Sequence, residues 1–173
     1  MPSLDEVFAA FPDRDFLLNI KSNDPREGEL LAARLAASPY ERRAGLMAYG
    51  GDRPIAVLRE RLPALRVLSR AALQSCVLSY IGFGWTGYVP ESCRHTLLHI
   101  PLNVAPWLWG WPGRFLDRME SAGSRVFLLG DYHGGWSTGI DTTDDLARLP
   151  AGYSGGIVTD AIEIVGPAIK RIP

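Results

Sequence analysis

The sequence predicts an α/β fold built on a parallel sheet. Short strands of alternating or wholly apolar pattern are each followed by a segment with helical periodicity, about six times along the chain. The segment RVFLL (Arg125 to Leu129) is almost continuously apolar, as expected of a strand covered on both faces. Helix-start signals also fall directly after the strands, as a βα unit requires.

The first strand is FLLNIK, Phe16 to Lys21. Phe16, Leu18 and Ile20 form one apolar face, while Leu17, Asn19 and Lys21 form a second face that turns polar toward its end. Asp24 is placed to cap a helix, with Pro25 at its first position and Glu27 at a capping-box position. Leu30, Leu31 and Leu35 then share a helical stripe.

Gly45 to Tyr49 is a short strand, followed by the turn signal Gly50-Gly51 and a helix from about Pro54 to Leu62. Leu65 to Ser69 is a strand, followed by a helix from Ala71 to about Phe83. Thr86 to Val89 reads as a fourth strand, and the following RHTLLHIPLN either extends it or supplies a short strand of its own. Arg114 to Ala122 is helical and Arg125 to Leu129 a strand. Thr142 to Leu149 is a short helix whose early acids suit the helix dipole. Gly155 to Thr159 is a final strand, and Ile162 to Ile172 a closing helix interrupted at Gly166-Pro167. The loop from Ile100 to Gly113 holds Trp107, Trp109 and Trp111 and is expected to be an ordered, packed loop core.

Bulk composition narrows the classes. With 173 residues and 47% hydrophobic content, residues 1–173 are expected to form a single domain. The net charge of -1 gives no electrostatic case for nucleic acid or an anionic membrane. The longest apolar-leaning stretch, Leu73 to Trp85, is too short to span a bilayer. No signal-peptide pattern opens the sequence, which leans the expected compartment toward the cytoplasm while leaving it open. Cys76 and Cys93 show no metal-site spacing and are expected to be separate core thiols.

Several segments, in order, carry a family likeness: MPSLDEV, FLLNIK, RVFLLGDYHGG with STGIDTTDDLARLP, and GGIVTD. Their order and spacing resemble glycerophosphodiester phosphodiesterases. That family folds as a (β/α)8 barrel and hydrolyses glycerophosphodiesters to an alcohol and glycerol 3-phosphate with a divalent cation, calcium or magnesium. The resemblance covers the C-terminal three-quarters of the family pattern. It therefore implies an incomplete TIM-type barrel of about six βα units, strands 3–8, where a full barrel takes ~250 residues.

The resemblance places Lys21 on the family's active-site lysine, at the C-terminal mouth of the strands, where an ammonium can hold a phosphate oxygen. Phe16, Leu18 and Ile20 would then face the helices, and Asn19 would stand beside Lys21 where the family has a cation-ligating glutamate. Further contacts to a small-molecule phosphodiester are expected from Ser69 or Arg70, between which strand parity does not choose, and from Asn103. His133 is a further candidate, near a strand end, whereas His99 is expected in the core or at the rim.

The family's His-Arg, Glu-x-Asp and His-Asp segments precede its equivalent of MPSLDEV and have no counterpart here. No metal ligand is therefore nominated, and the chain by itself is expected to be weakly active or inactive. Three alternatives remain open: a hydrolase-family chain, a non-catalytic phosphate-binding module on the same fold, and an open doubly wound domain. For the last, no GxGxxG or P-loop fingerprint follows any strand. Uncovered sheet edges would favour self-association.

Overall fold

The computed structural model describes residues 2–38, 45–135 and 137–169. They form an α/β protein with two parallel sheets of three strands each, and the chain divides into two compact units, Met1–Ala71 and Ala72–Pro173. The expected parallel pairing is present, distributed over two sheets.

Unit 1 opens with α1 (Leu4–Ala10), started by a capping box in which the Ser3 hydroxyl accepts from the Glu6 amide and the Glu6 carboxylate accepts from Ser3. Strand β1 (Phe16–Ile20) leads through the Asp24 cap into α2 (Pro25–Ala36); Asp24 accepts from the Arg26 amide at 3.0 Å. Strand β2 (Leu46–Gly50), helix α3 (Asp52–Arg61) and strand β3 (Arg66–Ser69) complete the order β1-β2-β3. The register aligns Leu18 with Ala48 and Ala48 with Val67.

That aligned row is the helix-facing one. Ile20, Ala48 and Val67 are buried with Phe8 of α1, Ala32 and Leu35 of α2, and Ile55 and Leu58 of α3, and Phe16 and Leu18 pack against this core. Each buried aliphatic side chain contributes about 1.5–3 kcal/mol. Helices α2 and α3 approach closely at Gly28, where a Cβ would collide with the Pro54 backbone. The Arg34–Asp5 pair links α2 to α1 on an exposed surface and adds ~1 kcal/mol at most.

Helix α4 (Arg70–Phe83) starts at the end of unit 1 and runs into unit 2. Thr86 to Val89 is not the strand expected from its sequence. Gly84–Thr86 is a 3-10 turn, and Gly87 at φ 88° turns the backbone out of the extended region. The strand is supplied instead by the alternative segment, as β4 (Leu97–Pro101). Helix α5 (Gly113–Ser121), strand β5 (Arg125–Leu129), helix α6 (Thr143–Ala147), strand β6 (Gly156–Ile157) and helix α7 (Ile162–Ile169) follow.

Helix α7 runs through Gly166-Pro167 rather than breaking there. Pro167 is the sixth of the eight residues, and its missing N–H removes one bond of the last turn. Residues 170–172 of the expected helix lie outside the described residues.

The core of unit 2 lies on the face of sheet β4-β5-β6 that carries Leu98, Ile100, Val126 and Leu128, packed with Tyr80, Phe115 and Met119. Tyr80 and Phe115 meet edge to face, with ring centroids 5.2 Å apart. Cys76 and Cys93 are not separate thiols. They form a disulfide with Cα atoms 4.9 Å apart, pinning the turn after α4 to that helix. Periodicity alone could not reveal this pairing, because burial in one cluster suits thiols and a disulfide equally.

The tryptophan loop also differs from expectation. Trp111 is partly buried, 5.9 Å from the Phe115 ring, but Trp107 and Trp109 are exposed. The physical reason is that Leu102, Ala105 and Leu108 fill the space beneath the loop, leaving the larger rings outside.

Candidate functional site

In unit 1 the C-terminal ends of three parallel strands lie level, because Ile20, Gly50 and Ser69 are register partners. Lys21, Gly51 and Arg70 follow them along one edge. The segment after β1 is folded onto this edge. The Gly51 amide donates to the Ile20 carbonyl at 3.1 Å, and the Arg53 amide to Asn23 Oδ1 at 2.9 Å. Only glycine fits at Gly50, where φ is 155° and a Cβ would strike the Ile20 carbonyl oxygen.

The edge is polar and cationic. Lys21 and Arg70 are exposed, as is Asn19, which shares the face of β1 opposite to Ile20. Ser69 is buried and lies on the helix-facing row with Ile20. Of the two residues between which strand parity did not choose, Arg70 is solvent-accessible at the edge and Ser69 is buried.

Nearby acids already have backbone partners. Asp24 caps α2, and Asp52 Oδ1 accepts from the Ala71 amide at 3.1 Å. Helices α2, α3 and α4 all begin here, so their N-terminal dipole ends add positive potential.

In unit 2 the strand ends carry Asn103 after β4 and the loop after β5. The Asn103 side-chain amide donates to the Tyr132 carbonyl at 3.1 Å and its Oδ1 accepts from the Tyr132 amide at 2.9 Å. Asn103 therefore clamps two loops together through both ends of its amide. His133 is exposed at the tip of a loop closed by the Tyr132–Ser137 bridge.

Asp131 and Asp145 both pair with Arg148, at 2.6 and 3.6 Å. Asp141 accepts from the Thr159 hydroxyl at 3.0 Å and the Asp160 amide at 2.8 Å. The Thr142 hydroxyl holds the Asp145 carboxyl below its usual range, in the capping box that starts α6. His99 is on β4 beside Phe127, and burial pushes its imidazole down to about 4.

The family resemblance brings a divalent cation with it, and the donor set present does not fit one. Among the described residues no three His, Cys, Asp or Glu side chains cluster so as to hold a metal ion. Asn19 offers a neutral carbonyl, and the adjacent Lys21 is itself cationic. A groove of about 640 Å³ in unit 2 is lined by residues of α6, α7 and the segment before β6, including Thr143, Leu146, Tyr153 and Ile169. It contains none of the residues nominated from sequence. No helix among the described residues is long and apolar enough to cross a membrane.

Sequence reasoning passed over two contributors. Asp52 was missed although its position directly after Gly50-Gly51 marks a helix start. Arg118, whose guanidinium donates to the Tyr80 hydroxyl at 2.9 Å and the Gly84 carbonyl at 2.8 Å, left no local signal at all.

Comparison with protein-family models, with curated proteins and with solved structures finds no match to this chain.

Proposed function

We propose that this chain is a glycerophosphodiester phosphodiesterase-like protein that binds the phosphate of a small phosphodiester at Lys21. The observation that carries the proposal is the exposed Lys21 at the C-terminal edge of a parallel sheet, on the row opposite the helix layer. Arg70 stands on the same edge and Asn19 on the same row, and three helix N-termini reinforce the attraction for an anion. On this reading the two three-stranded sheets are arcs of the six strands that the family pattern numbers 3–8 in its TIM-type barrel. The chemistry is phosphoric diester hydrolysis in lipid and glycerol metabolism, and the chain by itself is weakly active or inactive.

Asn19 favours a second reading, a non-catalytic phosphate-ligand module on the same fold. An amide in place of an acid supplies neither negative charge to hold a cation nor a base. The two readings share the lysine and differ in turnover.

The test is thermal unfolding with glycerol 3-phosphate or inorganic phosphate. Saturation near 100 Kd adds about 2.7 kcal/mol of apparent stability, and Lys21→Ala removes the gain without lowering the melting temperature of the free protein. No ligand-induced shift in the unsubstituted chain refutes both readings. Release of glycerol 3-phosphate from glycerophosphocholine, with calcium or magnesium supplied, then separates the hydrolase from the binding module.

A further inference from the structure

Beyond any ligand at Lys21, unit 2 carries an apolar surface that the phosphodiester reading leaves unused. Helix α4 exposes Leu78 and, one turn on, Ile81, and its end exposes Phe83, followed by Trp85 in the 3-10 turn. The tryptophan loop adds Trp107 and Trp109. Two bonds hold it to the helix: the Trp109 indole N–H donates to the Ile81 carbonyl at 2.7 Å, and the Tyr80 hydroxyl donates to the Trp109 carbonyl at 3.0 Å.

Trp107 is 74% exposed and Trp85 67%. With aromatic side chains worth 150–250 Å² each, the six residues present on the order of 800 Å² of apolar surface. Patches on a monomer rarely exceed about 600 Å², whereas each partner of a standard interface contributes about 800 Å².

The surface is also held in place, and the segments that supply its exposed residues are uncharged. Residues 71–90 and 95–113 contain no Asp, Glu, Lys or Arg. The Cys76–Cys93 bond and the Arg118 contacts to Tyr80 and Gly84 fix the turn and the helix end beneath the rings. Binding therefore costs little ordering entropy. An uncharged patch rich in tryptophan suits the core of a protein interface, and it can meet its own copy across a two-fold axis without repulsion.

Charge selects this partner over a bilayer. The flank is of mixed sign, with the exposed Glu91 paired to Arg94 at 3.5 Å and Asp117 near Arg118, and the whole chain is at -1, so the rim gives no net attraction for anionic headgroups.

We propose that this face is a homodimer interface, with Trp85 and Trp107 as its anchors. Self-association then runs through aromatic side chains rather than through sheet edges. Sedimentation velocity of the full chain from about 1 to 100 μM, the range in which moderate dimers dissociate, reads it directly. Expected is a concentration-dependent dimer whose Kd rises at least about 30-fold in Trp107→Glu, with Leu30→Glu, on exposed α2 of unit 1, unchanged.

Circular dichroism and melting temperature confirm folding, and Leu78→Glu replaces Trp107→Glu where that variant fails to fold. A chain monomeric throughout overturns the proposal. So does a Kd untouched by both patch variants, or equally weakened by Leu30→Glu. Flotation of a monomeric chain with phosphatidylcholine vesicles, lost in Trp107→Glu, overturns it in favour of a lipid surface.

Discussion

Asn103 and Tyr132 exchange two hydrogen bonds, side-chain amide to backbone carbonyl at 3.1 Å and backbone amide to side-chain carbonyl at 2.9 Å. This pairing joins the segments that leave β4 and β5, and so fixes the start of the loop that displays His133. Asn103→Ala removes both bonds and is expected to lower stability by about 1–2 kcal/mol in urea unfolding. Asn103→Asp keeps the acceptor for the Tyr132 amide and recovers about half. Proteolysis at Gly134-Gly135 should quicken in the alanine variant, and an unchanged cleavage rate would show that the clamp does not control this loop.

Gly50 marks the second prediction. Its positive φ and the nearness of the Ile20 carbonyl leave no room for a side chain. Gly50→Ala is expected to cost about 2–4 kcal/mol and to disturb the edge that carries Lys21. Thermal unfolding checks the first part. Loss of the phosphate-induced shift, with Lys21 itself intact, checks the second.

His99 gives a pH dependence with a definite sign. Burial pulls its value from 6.5 in the open chain to about 4 in the fold, so between these the unfolded chain binds the extra proton. The stability that neutral His99 contributes is complete above about pH 6.5 and is lost as pH falls toward 4. The total is on the order of 3 kcal/mol. His99→Phe, beside Phe127, should flatten the stability profile between pH 7 and pH 4.5 relative to the unsubstituted chain. Parallel profiles for the two proteins would show that His99 is not the group responsible.

The cap of α6 supplies a local test. Thr142 and Asp145 bond reciprocally, and Thr142→Ala leaves the Asp145 amide without its acceptor. The expected loss is about 1 kcal/mol, measured as a lower urea midpoint at constant slope. Thr142→Ser restores most of it. A serine variant as weak as the alanine one would point to the Thr142 methyl group instead.

Much of the architecture was legible because backbone regularity writes itself into short-range pattern. Phe16, Leu18 and Ile20 declared the helix-facing row of β1, and RVFLL declared β5 to the residue. Thr142 to Asp145 declared a helix start through its acids. The misreadings share a different cause. Thr86 to Val89 has strand-forming residues, but Gly87 sits among them at positive φ, and a glycine's conformation is not visible in its neighbours' propensities. Cys76 and Cys93 meet only because the chain doubles back after α4, a tertiary event. The division into two sheets was likewise hidden, since each βα unit looks the same whichever sheet it joins.

For the candidate site, alternation put Asn19 and Lys21 on one face of β1, and the family resemblance placed that face at the strand ends. The demands on Asn103 and Asp52 were not, because their partners, Tyr132 and Ala71, are backbone groups that every residue carries.

The Cys76–Cys93 bond constrains the order of events as well as the final arrangement. Both sulfur-bearing residues are buried in the same cluster as Tyr80 and Phe115, so a soluble oxidant reaches them slowly once the interior has closed. The cross-link is therefore expected to form fastest while the polypeptide is still open. A batch made under reducing conditions is expected to keep its two thiols slow to alkylate until it is denatured, and slow to convert on exposure to air at the end of a purification.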